Sequence, residues 1–277
     1  MRRYKSYNVY ISGESAVPKP VPTGDGFRDL GPLARWGVDI GHVYEEPVEA
    51  LLDKLDKDGS VVRALLNATS AKGSTNQEHR VVIKPLLGAA KQKLGADNAW
   101  TQPKRLTDAS AKSTTDAWGQ PGTAVGSDVD ILFDPNSGAT CSAGNSGSGC
   151  PGNAAIDTLM HELVHAVRDI QGRRNPIPLV EPGKSYTDVE EFYAILLANI
   201  DMSPRGATTL RRHHADYSAL PTEWSTSDGF LTDATHRKWV REFCYGDSLD
   251  LSSQVKNVSA KFNPIREFMA NPNKYRN

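Results

Sequence analysis

The chain has 277 residues, 38% hydrophobic and 23% charged, enough to bury one sizeable core without disulfide or metal staples. Its 32 Lys and Arg offset 33 Asp and Glu, which excludes a generally basic, phosphate-seeking surface and so excludes nucleic acid as the principal partner. Apolar stretches such as Tyr193 to Ile200 are too short to cross a bilayer, so no membrane span is expected.

Residues 1–45 are rich in Pro and Gly and have no period, which reads as an irregular N-terminal segment and a candidate secretion or loading signal. One domain is expected over residues 46–277. The N-terminus carries Arg2, Arg3 and Lys5 but no apolar core of a cleaved signal follows. That leaves a cytoplasmic protein, or one exported by machinery that uses no such signal. Val48, Leu51, Leu52 and Leu55 lie at helical spacing within residues 47–57, and Ser60 after Gly59 can cap a second helix to about Asn67. His79 to Lys84 is a strand candidate stopped by Pro85. Residues 86–126 are too long for a structureless loop and should hold short elements that the sequence does not place. Ser127 to Phe133 alternates, with Val129, Ile131 and Phe133 on one side. Cys141 and Cys150 bracket a Ser/Gly/Asn loop; a disulfide and two free thiols both remain open.

The most periodic segment follows. Asn153 is a candidate N-cap, Ile156, Leu159, Met160, Leu163, Val164, Val167 and Ile170 mark an apolar stripe, and Gly172 is a stop. A second helix spans roughly Asp188 to Asn199, with further helices after Ser203-Pro204, after Asp233, and around Ile265 to Met269. These elements give an α+β fold, mainly helical, with a small sheet over the first of the two long helices.

That helix contains His161-Glu162-Leu163-Val164-His165, an H-E-x-x-H pattern. Histidines four apart share a helix face and reach one metal from one rigid element. Glu162, beside the first of them, reaches the water on the metal and can take and return a proton. Catalytic zinc asks for three protein ligands and one open position. The metzincin solution is excluded, because Arg168 and Gln171 stand where its Gly and His would be. The remaining solution is a Glu from the next helix, either Glu190 or Glu191. Thr187-Asp188-Val189-Glu190 fits a capping box that would occupy Glu190. Glu191 shares a face with Ala194 and Ala198, whose small side chains allow close approach to the metal helix. Glu191 is therefore preferred.

HELVHA followed by EEFYAILLAN resembles the gluzincin metallopeptidases. Within them, residues 127–220 are most similar to bacterial effector and toxin zinc endopeptidases, typified by injected proteases that cut host MAP kinases. The resemblance implies a zincin-like metallopeptidase domain with its catalytic core at about residues 127–220. It also implies one Zn²⁺ held by His161, His165 and Glu191, and Glu162 as catalytic base. Ser127 to Phe133 would be the strand edging the cleft, to which a peptide substrate adds. One departure stands out. Where thermolysin-like members carry an Asp that orients a histidine, this chain has Ile195, so another group must do that work.

An oxyanion needs a donor, and Tyr186, Tyr193, His213, His214 and Tyr217 are the candidates. Tyr217 is preferred, one turn from His214 if a helix persists there. Arg211 and Arg212 read as a surface charge pair, Trp224 and Trp239 as core or cleft wall, and His42, His79 and His236 have no motif around them. The leading reading is a zinc endopeptidase, delivered as a bacterial effector or toxin. It would be monomeric, cytoplasmic before export, and active on a protein substrate in a target or host cell. A secretion apparatus or an immunity protein would be further partners. The alternatives are a binding or adaptor protein on a zincin scaffold and a housekeeping peptidase.

Overall fold

The computed structural model describes residues 1–13, 40–57, 59–70, 77–86, 99–115, 119–136, 150–179, 186–213, 217–246 and 249–276. Among the described residues, five short strands make one mixed sheet: β1 (Arg2–Arg3), β2 (Val9–Ile11), β3 (Val81–Pro85), β4 (Ala99–Pro103) and β5 (Val129–Phe133). Their order is β1-β2-β3-β5-β4. The central strands β2, β3 and β5 are parallel, and the outer two run antiparallel to their neighbours. Parallel neighbours need a crossover. Helices α1 (Ile40–Leu55) and α2 (Val61–Thr69) lie in the chain between β2 and β3.

Register decides what the sheet presents. Ile11, Ile83, Ile131 and Thr101 stand in one row across four strands. With Val9, Val81, Val129 and Phe133 the isoleucines form a buried face. That face packs on α4 (Ala155–Ile170), the helix carrying the H-E-x-x-H pattern. Thr101 is thus the polar member of an otherwise aliphatic row.

The strand expected to edge the cleft does not do so: β5 is paired on both sides, by β3 and β4. Among the described residues the terminal strand beside it is β4, which falls in the stretch where the sequence places nothing. Residues 1–13, read as irregular, contribute β1 and β2, because Val9 and Ile11 find buried partners in β3 at long range. Helix α1 begins upstream of the expected start and carries Pro47 internally. Just after it, the Asp56 carboxylate accepts from Lys5 Nζ at 2.7 Å, Tyr4 Oη at 3.3 Å, Tyr7 Oη at 3.4 Å and Arg63 Nε, pinning the N-terminal strands to α2. Ser60 caps α2 as expected, accepting from Arg63 N at 3.0 Å.

Helix α4 starts after Ala154, whose side chain makes no cap; Asn153 belongs to the preceding turn, its N–H reaching Cys150 O. Its C-terminus follows the expected stop. Gly172 is left-handed (φ 66°), Arg173 N donates to Arg168 O at 2.8 Å, and Gly172 N donates to Asp169 O at 3.1 Å. A Cβ on Gly172 would also run into the backbone of Ala124, so both conformation and space require glycine. Helix α5 (Val189–Met202) is capped by Asp188, which accepts from Glu191 N at 2.9 Å. The cap lies one residue later than the expected box, which releases Glu190 from that role.

After α5 the chain makes only a short 3-10 turn, Ser203–Arg205. Arg211 then bridges to Ala219 in extended geometry. The helix expected after Pro204 is therefore absent among the described residues, and Tyr217 is left-handed (φ 51°). The remaining helices are the short α3 (Leu106–Ala109), α6 (Ser227–Thr232), α7 (Ala234–Tyr245), α8 (Leu249–Val255) and α9 (Pro264–Ala270). Caps from Asp233 and Asn263 start α7 and α9. Cys150 is disulfide-bonded and Cys244 is a buried free thiol. Cys141, His214 and the side chain of His42 lie outside the described residues. No helix among the described residues is long and apolar enough to cross a membrane.

Candidate metal centre

Helices α4 and α5 pack against each other, and α4 lies under β4 and β5. That sandwich brings the ligand candidates together. His161 Nε2 and His165 Nε2 are 3.1 Å apart. Glu191 Oε2 is 3.2 Å from the first, and Glu191 Oε1 is 3.4 Å from the second. Donors on a tetrahedral zinc at 2.0–2.1 Å are about 3.3 Å apart, so the spacing of these atoms fits one small cation. Their chemistry fits as well: two imidazole Nε2 atoms and a carboxylate can each present a lone pair to one shared cation. The cluster is buried, with His161 3% and His165 6% exposed. The three residues form the sole cluster of potential metal ligands among the described residues.

The electrostatics follow from burial beside charge. Burial pushes the His161 imidazole down to about 3, against the pull of Glu191. Burial acts the same way on His165, but the Glu191 and Glu190 carboxylates outweigh it and raise the group well above its ordinary value. Glu191 would be raised by burial, yet the two histidines hold it well below the usual carboxylate range. The cluster favours bound positive charge at its centre.

Glu162 lies beside this group without belonging to it. Its carboxylate is buried, which pushes its pKa upward. Thr101 Oγ1 donates to Glu162 Oε2 at 2.6 Å. A threonine in the aliphatic row of the sheet therefore fixes one oxygen of the carboxylate from β4. Sequence reading missed Thr101; the short, weakly alternating Ala-Trp-Thr-Gln-Pro run gives little signal of a strand.

Glu190 takes a different place from the one expected. Arg168 Nε lies 2.9 Å from each of its carboxylate oxygens, and Asn175 N donates to Oε2 at 2.9 Å. Burial alone would raise Glu190, but Arg168 and His165 hold it down to about 2. Arg168 is fully buried and lies 4.5 Å over the Tyr193 ring.

Arg211 is not a surface residue but 3% exposed. Asn199 on α5 holds its backbone from both sides, accepting from Arg211 N at 2.8 Å and donating to Arg211 O at 2.7 Å. The guanidinium donates through Nε to His213 O at 2.8 Å and stacks on Tyr217 at 4.2 Å. Burial lowers its pKa, while Tyr217, Glu191 and Glu162 pull the other way. Arg211 therefore lies within electrostatic reach of Glu191 and Glu162. Only its tertiary anchor, Asn199, makes it special, and no local pattern announces that.

Of the other oxyanion candidates, Tyr186 and Tyr193 are core residues: Tyr186 packs on Phe192 at 5.0 Å, and Tyr193 on Phe243 at 5.1 Å. His236 is buried and stacks 4.0 Å from Phe230. Trp224 packs on it at 4.7 Å, and Trp239 is buried. His79 lies 3.6 Å from Asp128.

A family model described as Peptidase M91, effector protein, matches residues 38–227, more than half of the chain. No curated protein matches the chain.

Proposed function

The chain belongs to the Peptidase M91 family of effector proteins, and on that premise we propose that it is a zinc-dependent endopeptidase acting on a protein substrate in a target or host cell. The observation that carries the reading is the convergence of the two Nε2 atoms and the Glu191 carboxylate at 3.1–3.4 Å. His161, His165 and Glu191 would hold the ion. Zinc bound by such a donor set supplies Lewis acidity and makes water a better nucleophile at neutral pH.

The rest falls to the chain's own side chains. Glu162, steered by Thr101, is the base that takes a proton from the attacking water and later returns it to the leaving amine. Tyr217 is the proposed donor to the oxyanion, with the buried Arg211 beneath its ring adding positive potential. The substrate would lie along β4, the terminal strand that presents Thr101 to the site. The protein would be made in the cytoplasm and then exported, acting as a monomer. A secretion apparatus and an immunity protein are its proposed further partners.

The experiment is a search for new N-termini in target-cell lysate treated with the zinc-loaded protein, beside Glu162→Gln. Cleavage should fall by about 10²–10⁴-fold in the variant while zinc remains bound. Equal cleavage by both proteins contradicts the mechanism, and zinc binding without cleavage by either favours an adaptor on the same scaffold.

A further inference from the structure

We infer that Glu190 is a positioning residue for the metal centre: clamped by Arg168 and by the loop after α4, it fixes the ring of His165 from the side opposite to the ion. The inference rests on the metal-centre reading above and goes beyond it by assigning the group that orients a ligand histidine.

The geometry begins with two consecutive glutamates. Neighbours on a helix point about 100° apart, so Glu190 and Glu191 approach the same imidazole from different directions. Glu191 Oε1 lies 3.4 Å from His165 Nε2, and Glu190 Oε1 lies 3.5 Å from His165 Nδ1. The latter separation is an ion-pair contact with no hydrogen bond formed at Nδ1; a small approach on cation binding would give Nδ1 an anionic acceptor, keep the proton there and leave the Nε2 lone pair for the cation. This is the work that Ile195 cannot do.

Lone-pair accounting explains why Glu190 stays in place. Oε2 accepts from Asn175 N and faces Arg168 Nε. Oε1 faces the same Arg168 nitrogen and has its remaining side toward His165. Arg168 is itself held, its second arm donating to Arg173 O at 2.5 Å. Arg173 is the residue whose N–H closes the turn at Gly172. One carboxylate thus joins α4, the loop at 173–175 and α5. Arg168 and His165 are three apart on α4, so the clamp and the ligand share a helix face.

The test measures zinc affinity of the full chain by chelator competition, with the visible spectrum of the cobalt-substituted protein reporting ligand geometry. The variants are Glu190→Gln and the double variant Arg168→Met with Glu190→Leu. An amide at 190 offers one acceptor oxygen and cannot serve Arg168, Asn175 and His165 together. The double variant replaces the buried ion pair with apolar groups of similar size, which folds commonly tolerate. Both variants should bind zinc roughly 10–100-fold more weakly and shift the cobalt spectrum, with the zinc-free double variant still folded. Wild-type affinity and spectrum in either folded variant would overturn the inference. So would loss of the zinc-free fold in both, which would make the pair a packing element alone. Failure of the wild type itself to bind zinc sinks the metal-centre reading instead, a result distinct from these.

Discussion

Two charge clusters, one around the buried Asp56 and one at His161, His165 and Glu191, are built on opposite plans. At Asp56, one carboxylate meets Lys5, Arg63 and the hydroxyls of Tyr4 and Tyr7, so acid faces donors on every side. At His161, His165 and Glu191, acceptor atoms converge on one another within 3.4 Å. The first cluster is complete as protein and ties an N-terminal hairpin to the helices. The second brings together atoms able to ligate, which the proposed zinc would complete. Burial and charge alone do not identify a site; the direction in which lone pairs point does.

That contrast can be broken from the structural side first. Asp56→Ala removes a buried acceptor shared by four donors and should cost about 2–3 kcal/mol in urea unfolding, with zinc affinity unchanged. A parallel loss of zinc binding would mean that the two clusters are not separate.

A third cluster lies between the two plans. Asp157 and Asp201 share Arg205, one cation for two acids, at 2.5 and 3.0 Å. Burial raises Asp201 to about 6, against the pull of Arg205. The folded state therefore holds the proton more tightly than the unfolded chain. The associated stability is complete below the unfolded value near 3.8 and is lost as pH rises through about 6. Asp201→Asn lacks this term. Between pH 4 and pH 8 the wild type should lose roughly 2 kcal/mol relative to the variant, measured by unfolding at each pH. Parallel stability curves would contradict the assignment.

The smallest effect sharpens the active side. Thr101→Val removes the hydroxyl that steers Glu162 while keeping the strand shape. It should lower kcat/KM by about tenfold, roughly 1.4 kcal/mol, with zinc affinity and melting temperature nearly unchanged. An unaltered kcat/KM would remove Thr101 from the mechanism.

What could be read in the sequence follows the same division. His161 and His165 were legible because a helix fixes spacing locally, and the apolar stripe around them fixes the helix. Glu191 was legible through its small-residue face, although the supporting capping argument was one residue out of phase: Asp188, not Thr187, is the cap. That slip hid Glu190, whose role depends on Arg168 from another helix. The sheet beneath the site was half legible. The alternation of β5 is plain in sequence, but its inner place requires β4 and β3 on its two sides. Thr101 and Arg211 were not legible at all, since each is held by a distant partner, Glu162 for one and Asn199 for the other. Tyr217 was read on a helix that the chain does not form among its described residues.

The central claim is tested most directly by zinc titration of the metal-free chain beside His161→Ala and Glu191→Ala, with bound metal counted per chain after dialysis. The account predicts about one zinc per wild-type chain and a large loss of affinity in both variants, with their folds retained. No bound zinc in the wild type, or equal occupancy in all three proteins, would contradict it.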